Sequence, residues 1–313
     1  MKHPTCPYCS ARKTVRYGWP RWLCQKCKKT FRRRRSDTRD RSAIDGYTKD
    51  RSTYRRLGER WGVSHTTAIR RVRVALNRCV SLHERTKQLL SRCDGICLLD
   101  AKHIRIQGKL HMLFVAWDRG LGQPIHFQLE EGGEKELWYW KLLLELKRLG
   151  YTPRGFVSDG VLTLKEFLGE SYPDLPHQRC TVHVFLSARG KLGGSRKSNE
   201  RTDDLIELLR RILWSKTLQG AMRRLQKLWR ISHLTRRERK VLESLWSALP
   251  ECFVCRDPRW KHLQLPRSSN AIENVMGQVE ARLKTRRGTK SLASAKLLVN
   301  ELLLQVRPQS INH

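Results

Sequence analysis

The chain has 313 residues, 64 of them Lys or Arg and 29 Asp or Glu, for a net charge of +35. That length allows two or three domains with a real core. The charge calls for a polyanion bound by phosphate neutralisation and counterion release, nucleic acid before anionic membrane. No run of 18 apolar residues is present to span a bilayer, and Met1-Lys2-His3-Pro4 lacks the apolar stretch of a secretory signal. A cytoplasmic, nucleoid-associated protein is expected, and in a reducing compartment its ten cysteines point to metal and buried thiols over disulfides. Residues 1–80 hold 23 Lys/Arg against 5 Asp/Glu, so about half of the excess charge lies in a quarter of the chain.

Cys6-x2-Cys9, 14 intervening residues and Cys24-x2-Cys27 open the chain. Two close thiol pairs suit tetrahedral Zn2+ in a closed, structural site, and bound metal supplies folding free energy that so short a segment cannot gain from burial. A zinc ribbon over residues 1–35 is expected, with Val15, Tyr17, Trp19 and Trp22 in a small hairpin. Arg32, Arg33, Arg34 and Arg35 follow, either as a phosphate-contacting arm or as a solvated linker.

Residues 36–90 are expected to hold a helix-turn-helix. Thr53 to Trp61 sets Tyr54, Leu57 and Trp61 on one helical face. Gly62 breaks the helix, Val63 plugs the core and Ser64 can cap the next one. His65 to Leu76 then turns Ala68, Ile69, Val72 and Leu76 inward and leaves Thr66, Thr67, Arg70, Arg71 and Arg73 polar. The first turns of such a second helix meet base edges in a major groove. An ordinary helical hairpin is the alternative.

Residues 94–183 alternate like strands. Ile96–Ile106 is one, with Asp100 near its middle; Leu110–Trp117 and Pro124–Leu129 are the next two, with Gly108 and Gly120-Leu121-Gly122 at the turns. A helix over Glu134–Arg148 follows, with Leu137, Trp140, Leu144 and Leu146 as apolar contacts. Gly155–Ser158 is a short buried strand that ends at Asp159. A helix over Leu162–Leu168 and a fifth strand over Gln178–Val182 complete the run. Three hairpin strands, then helix, strand, helix, strand, is the order of an RNase H-like α/β domain. In that order the first and fourth strands are neighbours, so Asp100 and Asp159 come together. Adjacent carboxylates repel unless a hard cation lies between them, and paired Mg2+ ions can activate a water or a 3′-hydroxyl. Taken singly, Asp100 is also an ordinary polar residue on a half-exposed strand, and Asp159-Gly160 an ordinary turn.

Residues 184–266 form an all-helical insertion. Leu205–Trp214, Ala221–Trp229 and Lys240–Leu249 are amphipathic, studded with arginines that could clamp DNA or stay solvated. Ser187–Asn199, rich in Gly, Lys and Ser, is expected as a loop. Cys252-x2-Cys255 could join Cys180 and His183 in a second zinc site, or these are small buried hydrophobes. Residues 267–313 carry a third acid. Asn270-x-x-Glu273 has the spacing of a capping box. Gly277, one turn on, leaves room for close approach of a backbone or DNA strand. Lys284, Arg286 and Arg287 make the body of the helix basic, which suits a metal-bound phosphodiester. Glu280, seven residues on and on nearly the same face, is the rival acid.

Leu98-Leu99-Asp100, Val157-Ser158-Asp159-Gly160, Gln178-Arg179-Cys180-Thr181-Val182-His183 and Asn270-Ala271-Ile272-Glu273 together resemble the bacterial insertion-sequence transposases of the DDE class, in the branch related to the Mutator elements. The resemblance covers residues 94–290. It implies that Asp100, Asp159 and Glu273 are the catalytic triad that holds Mg2+ (or Mn2+), and that Cys180 and His183 are the branch's Cys-x2-His motif. It further implies cleavage at terminal inverted repeats in double-stranded DNA, joining of 3′-hydroxyl ends to target DNA, and a homodimer or larger assembly. Many relatives carry Lys or Arg seven residues after the catalytic Glu, where this chain has Glu280. A non-catalytic DNA-binding regulator and an RNase H-like nuclease are the alternatives.

Overall fold

A computed structural model describes residues 6, 8–9, 11–18, 21–32, 37–50, 52–193, 200–231, 233–284 and 291–306. The chain divides into two compact units, Met1–Ala75 and Leu76–His313.

The first unit opens with a three-stranded antiparallel ribbon: β1 (Thr14–Arg16), β2 (Arg21–Cys24) and β3 (Thr30–Arg32), in that order. Trp22 and Phe31 pack with Cys6 and Cys24 in a core too small to hold itself together. Three helices follow, α1 (Asp37–Thr48), α2 (Tyr54–Trp61) and α3 (His65–Leu76). The Thr53 side chain caps α2 and the Ser64 hydroxyl accepts the Thr67 amide at 3.2 Å. Between them Gly62 takes φ +60, a left-handed value that costs glycine little. Leu57, Ala68, Val72 and Ala75 are fully buried. A side chain at Gly58 would meet the Val63 carbonyl at 2.8 Å, so the close α2–α3 turn needs glycine there.

The second unit is built on a five-stranded sheet. Its strands are β4 (Ile96–Ile106), β5 (Lys109–Asp118), β6 (Gln123–Glu131), β7 (Gly155–Ser158) and β8 (His177–Arg179), in spatial order β6-β5-β4-β7-β8. The first three form antiparallel hairpins, while β7 and β8 pair in parallel beside β4. The parallel connections run through α5 (Glu136–Leu149) and α6 (Leu162–Ser171). This is an RNase H-like α/β domain preceded by a four-cysteine module.

The sheet separates two sets of side chains by the period of two along each strand. Cys97 and Leu99 of β4, with Phe114, Ala116 and Phe156, join Tyr139, Leu142, Leu143 and Leu146 of α5 in one core. Leu98, Asp100 and Lys102 therefore share the other face. The buried stripe of α5 is Tyr139, Leu142, Leu143, Leu146 and Leu149. Leu137 and Trp140, expected to be contacts, are about half exposed; they lie off that stripe.

Two further boundaries differ from expectation. The fifth strand stops at Arg179, and Thr181 begins α7 (Thr181–Leu192), with Cys180 at its cap. Ser187–Leu192, expected as loop, is thus helical; Gly193 ends the helix at φ +90, and residues 194–199 lie outside the described ones. The helices α8 (Glu200–Leu213), α9 (Leu218–Trp229) and α10 (Arg236–Cys252) then pack with α7 around Leu209, Leu225, Leu242, Leu245 and Leu249. The chain returns to the sheet through α11 (Asn270–Lys284), which lies along β4, and α12 (Leu292–Leu304), which lies on β6. A short helix, α4 (Leu82–Leu89), packs on α12 and β6: the Leu82 amide donates to Asn300 at 2.7 Å, and Thr86 donates to the Ile125 carbonyl. Among the described residues, no helix is long and apolar enough to cross a membrane.

Candidate metal centres and nucleic-acid interface

In the first unit the sulfurs of Cys6, Cys9, Cys24 and Cys27 all lie within 4.8 Å of one another. Cys6 is 3.6 Å from Cys27, and Cys9 is 3.5 Å from Cys24. Tetrahedral zinc with Zn–S bonds of about 2.3 Å separates its sulfurs by about 3.8 Å, so the cluster is close to metal-ready. The Tyr8 amide points at Cys6 Sγ (3.4 Å) and the Cys27 amide at Cys24 Sγ (3.5 Å). The Cys27 amide, with the neighbouring thiols, holds Cys24 below the usual thiol range, although burial opposes it. A structural, zinc-like metal fits these four donors.

In the same unit Thr66, Arg70 and Arg71 are exposed on α3, and Thr67 is half-buried beside Ser64. Arg33, Arg34 and Arg35 lie outside the described residues, as do Arg286 and Arg287 of the second unit. The side chains of Arg32 and Lys284 also lie outside them.

In the second unit Asp159 and Glu273 are near enough for their charges to act on Asp100. The β4–β7 ladder ends with Leu98 paired to Val157, each two residues before an acid, Asp100 and Asp159. Asp100 is 8% exposed, and its carboxylate accepts one hydrogen bond, from the Ala101 amide at 2.9 Å. Burial raises its pKa to about 7; the charge of His183 opposes this, and Asp159 and Glu273 add to it. Asp118 shows what a structural buried acid looks like in this chain. It is fully buried and accepts from the amides of Asp94, Gly95 and Leu121 and from the Tyr151 hydroxyl. Asp100 lacks such a cradle, which leaves its charge for something else to stabilise.

Asp159 sits at the end of β7, where its carboxylate accepts the Val161 amide at 3.3 Å. The next residue, Gly160, has φ +80, and a Cβ there would lie 2.5 Å from the Arg179 side chain. Glycine thus lets Arg179 lie over the turn, where Glu251 holds it at 3.2 Å.

Glu273 lies in the first turns of α11. The helix opens at the Ser269 carbonyl, which accepts the amides of Ile272 and Glu273. The expected capping box is therefore absent: Asn270 is already helical, so Glu273 is one place too far along to reach back. Its Oε1 lies 3.4 Å from Nδ1 of His183, and neither atom makes a hydrogen bond. Glu280 is turned to Lys102 of β4, at 2.8 Å. Among the described residues, Cys180, His183 and Glu273 form a second group with donor atoms within 4.8 Å; Cys252 and Cys255 are not part of it, in line with the alternative that they are small buried side chains, Cys255 half-buried. The Cys180 sulfur, then Glu273 and Asp100, hold the His183 imidazole up to about 9 against the effect of burial.

Sequence reasoning missed Glu134, Lys102 and Arg179. Glu134 hydrogen-bonds the Tyr139 hydroxyl, and burial raises its pKa, with the charge of Asp159 adding to the effect. The strand period placed Lys102 on the Asp100 face and was the one signal available for it. A cleft of about 230 Å³ runs from Asp159, Arg179 and His183 to Lys191, Ser244 and Leu245 of the insertion.

The profile of a family described as "Transposase, Mutator family" matches residues 96–309. Among solved structures the chain is similar to the Drosophila P element transposase strand transfer complex, at 12% identity and TM-score 0.35 over 88% of this chain and 80% of that one. It is also similar to a pre-cleavage Mos1 transpososome, at 15% identity and TM-score 0.22 over 72% of this chain and 79% of that one. No curated protein sequence matches the chain.

Proposed function

The chain belongs to the Mutator family of transposases, and from that premise we propose that it is a metal-dependent DNA transposase that cleaves the phosphodiesters at its element's ends and joins the freed 3′-hydroxyls to target DNA. The observation that carries this is Asp100, an acid buried in mid-sheet with a single hydrogen bond and two further carboxylates acting on it. Asp100, Asp159 and Glu273 would hold Mg2+ or Mn2+. What supports this is that their donors are hard oxygens and that Oε1 of Glu273 lacks any hydrogen bond. When bound, the ions activate the attacking hydroxyl and stabilise the leaving oxygen.

The chain's own residues do the rest. β4 and β7 fix Asp100 and Asp159 on a rigid sheet, so little reorganisation accompanies the reaction. Lys102 and Arg179 flank the acids with positive charge for the scissile phosphate, each tethered by a carboxylate, Glu280 and Glu251. Thr66, Thr67, Arg70 and Arg71 read the terminal inverted repeats. Arg32 to Arg35, with Lys284, Arg286 and Arg287, contact phosphates. Zn2+ on Cys6, Cys9, Cys24 and Cys27 holds the zinc ribbon of residues 1–35. In this arrangement residues 36–75 are the DNA-reading module, because α4 packs with the second unit; 94–183 and 267–313 are the catalytic core, and 184–266 a clamp on the transposon end. Two ends must be handled together, so the active form is a homodimer or larger.

The test uses linear DNA that carries the sequences bracketing this gene, with Mg2+ and a plasmid target. Wild type cuts and joins; Asp100→Ala binds as tightly in a gel shift and does neither. Equal cleavage by Asp100→Ala overturns the assignment of the acids. Cutting without joining, even from pre-cleaved ends, would make the protein a nuclease, and binding without cutting by wild type a regulator.

A further inference from the structure

Cys180, His183 and Glu273 form a mixed set of one thiol, one imidazole and one carboxylate, with donor atoms within 4.8 Å of each other. His183 Nδ1 and Glu273 Oε1 are 3.4 Å apart, an ion-pair contact in which neither atom makes a hydrogen bond. That separation matches the edge of a tetrahedron: bonds of about 2.0 Å from zinc to nitrogen and oxygen set those ligands about 3.3 Å apart. Cys180 is fully buried, and its sulfur receives the Ser269 amide at 3.4 Å. The same N–H···S contact, at 3.4 and 3.5 Å, supports Cys6 and Cys24 in the four-cysteine cluster. The Thr181 hydroxyl, also buried and without a hydrogen bond, lies on the residue next to Cys180.

We propose that Cys180, His183 and Glu273 form a second Zn2+ site, and that zinc bound there competes with the catalytic ion for Glu273. Mg2+ prefers oxygen and has no use for a thiolate, whereas Zn2+ takes sulfur and imidazole readily. The thiol and imidazole therefore draw Zn2+ to the His183 side, where it takes the Glu273 oxygen that the catalytic ion would use. A dication on the His183 side neutralises Glu273 and leaves Asp100 and Asp159 as the uncompensated acids. Zinc at this site switches the centre off without occupying it.

The competition arm rests on the proposed transposase function; the binding arm does not. For binding, the full chain is equilibrated with excess Zn2+, desalted and analysed for metal. Wild type should carry two zinc ions per chain, and Cys180→Ser and His183→Asn one each, held by the four-cysteine cluster. Equal zinc content in wild type and both variants overturns the site. For competition, Zn2+ is titrated into Mg2+-dependent cleavage, each protein being normalised to its own zinc-free rate. The half-inhibiting concentration should rise about tenfold or more in His183→Asn, the scale expected when a metal's coordination is disrupted. Inhibition unchanged in that variant shows that zinc acts at the acids themselves and overturns the competition. Loss of cleavage in wild type refutes the proposed function and leaves the binding result standing.

Discussion

Replacing Asp100 by Asn should stabilise the Mg2+-free protein while abolishing cleavage. Burial and the neighbouring acids raise the Asp100 carboxyl from 3.8 to about 7. At 1.36 kcal/mol per pH unit this amounts to at most about 4 kcal/mol of destabilisation once the group is ionised. Between those two values the folded chain keeps a proton that the unfolded chain has released. Stability therefore falls as pH rises through that window, and the full penalty is present above about 7. Asn is neutral throughout, and its amide oxygen can still accept from Ala101, so the variant should gain about 2–4 kcal/mol at pH 8 and close to nothing at pH 4. The assay is urea unfolding followed by tryptophan fluorescence in chelator-free, Mg2+-free buffer, which leaves zinc in place. Millimolar Mg2+ should stabilise wild type and not the variant, because the ion meets the charge that Asn lacks. If wild type and variant keep a constant difference from pH 5 to 8, or if the variant is weaker at pH 8, Asp100 is not held at an energetic cost and the case for a cation site fails.

Asp118→Ala should do the opposite. It strands two buried amides, a half-buried one and a tyrosine hydroxyl, which costs about 3–5 kcal/mol by urea unfolding and leaves cleavage per folded molecule intact. Cys24→Ser should release the zinc of the four-cysteine cluster and expose Met1–Ala75 to limited trypsin digestion while the second unit resists; metal analysis and mass spectrometry of the fragments check both. Arg70→Ala and Arg71→Ala should each weaken binding to the element's ends. A base contact costs about 1–3 kcal/mol at one sequence position, whereas a phosphate contact lowers the salt slope of log K by about one for any sequence. Gel shifts across a salt series separate the two.

The order of strands was open to inspection because each carries its own signal. β4 and β7 were placed to the residue by apolar runs bounded by turn residues, and their pairing follows from the RNase H-like order. Where the pattern was weaker, phase errors entered. In α5, Leu137 and Trp140 looked like core because the segment is apolar nearly all round; contact with Phe114 and Leu99 picked the Tyr139–Leu142–Leu146 stripe instead. The pattern of Cys180 to Val182 favours strand, because Cys, Thr and Val favour strands. Tertiary pairing ended the ladder at Arg179, and the helix began on Cys180. Glu134, Lys102 and Arg179 stayed hidden because their roles come from neighbours 25 to 178 residues away in sequence, such as Asp159 for Glu134 and Glu280 for Lys102.

The third acid shows how a boundary error changes chemistry. With a strand through Val182, His183 would lie beyond the sheet, and Glu273 could be satisfied by its own cap. With α7 starting at Thr181, Cys180 at the cap and His183 three places on stand one turn apart on the same side. Ser269 and Glu273, four apart at the start of α11, have the matching rise. Two rungs then join the helices: the Ser269 amide to the Cys180 sulfur, and His183 to Glu273. Both helix starts carry unsatisfied amides and positive dipole ends, so a thiolate and a carboxylate are the residue types that belong there. The spacing of Cys-x2-His is thus the spacing needed to hold the head of α11, and Glu273 with it, beside Asp100. Glu280, two turns further along the helix, is too far down for that rung and is taken up by Lys102 instead.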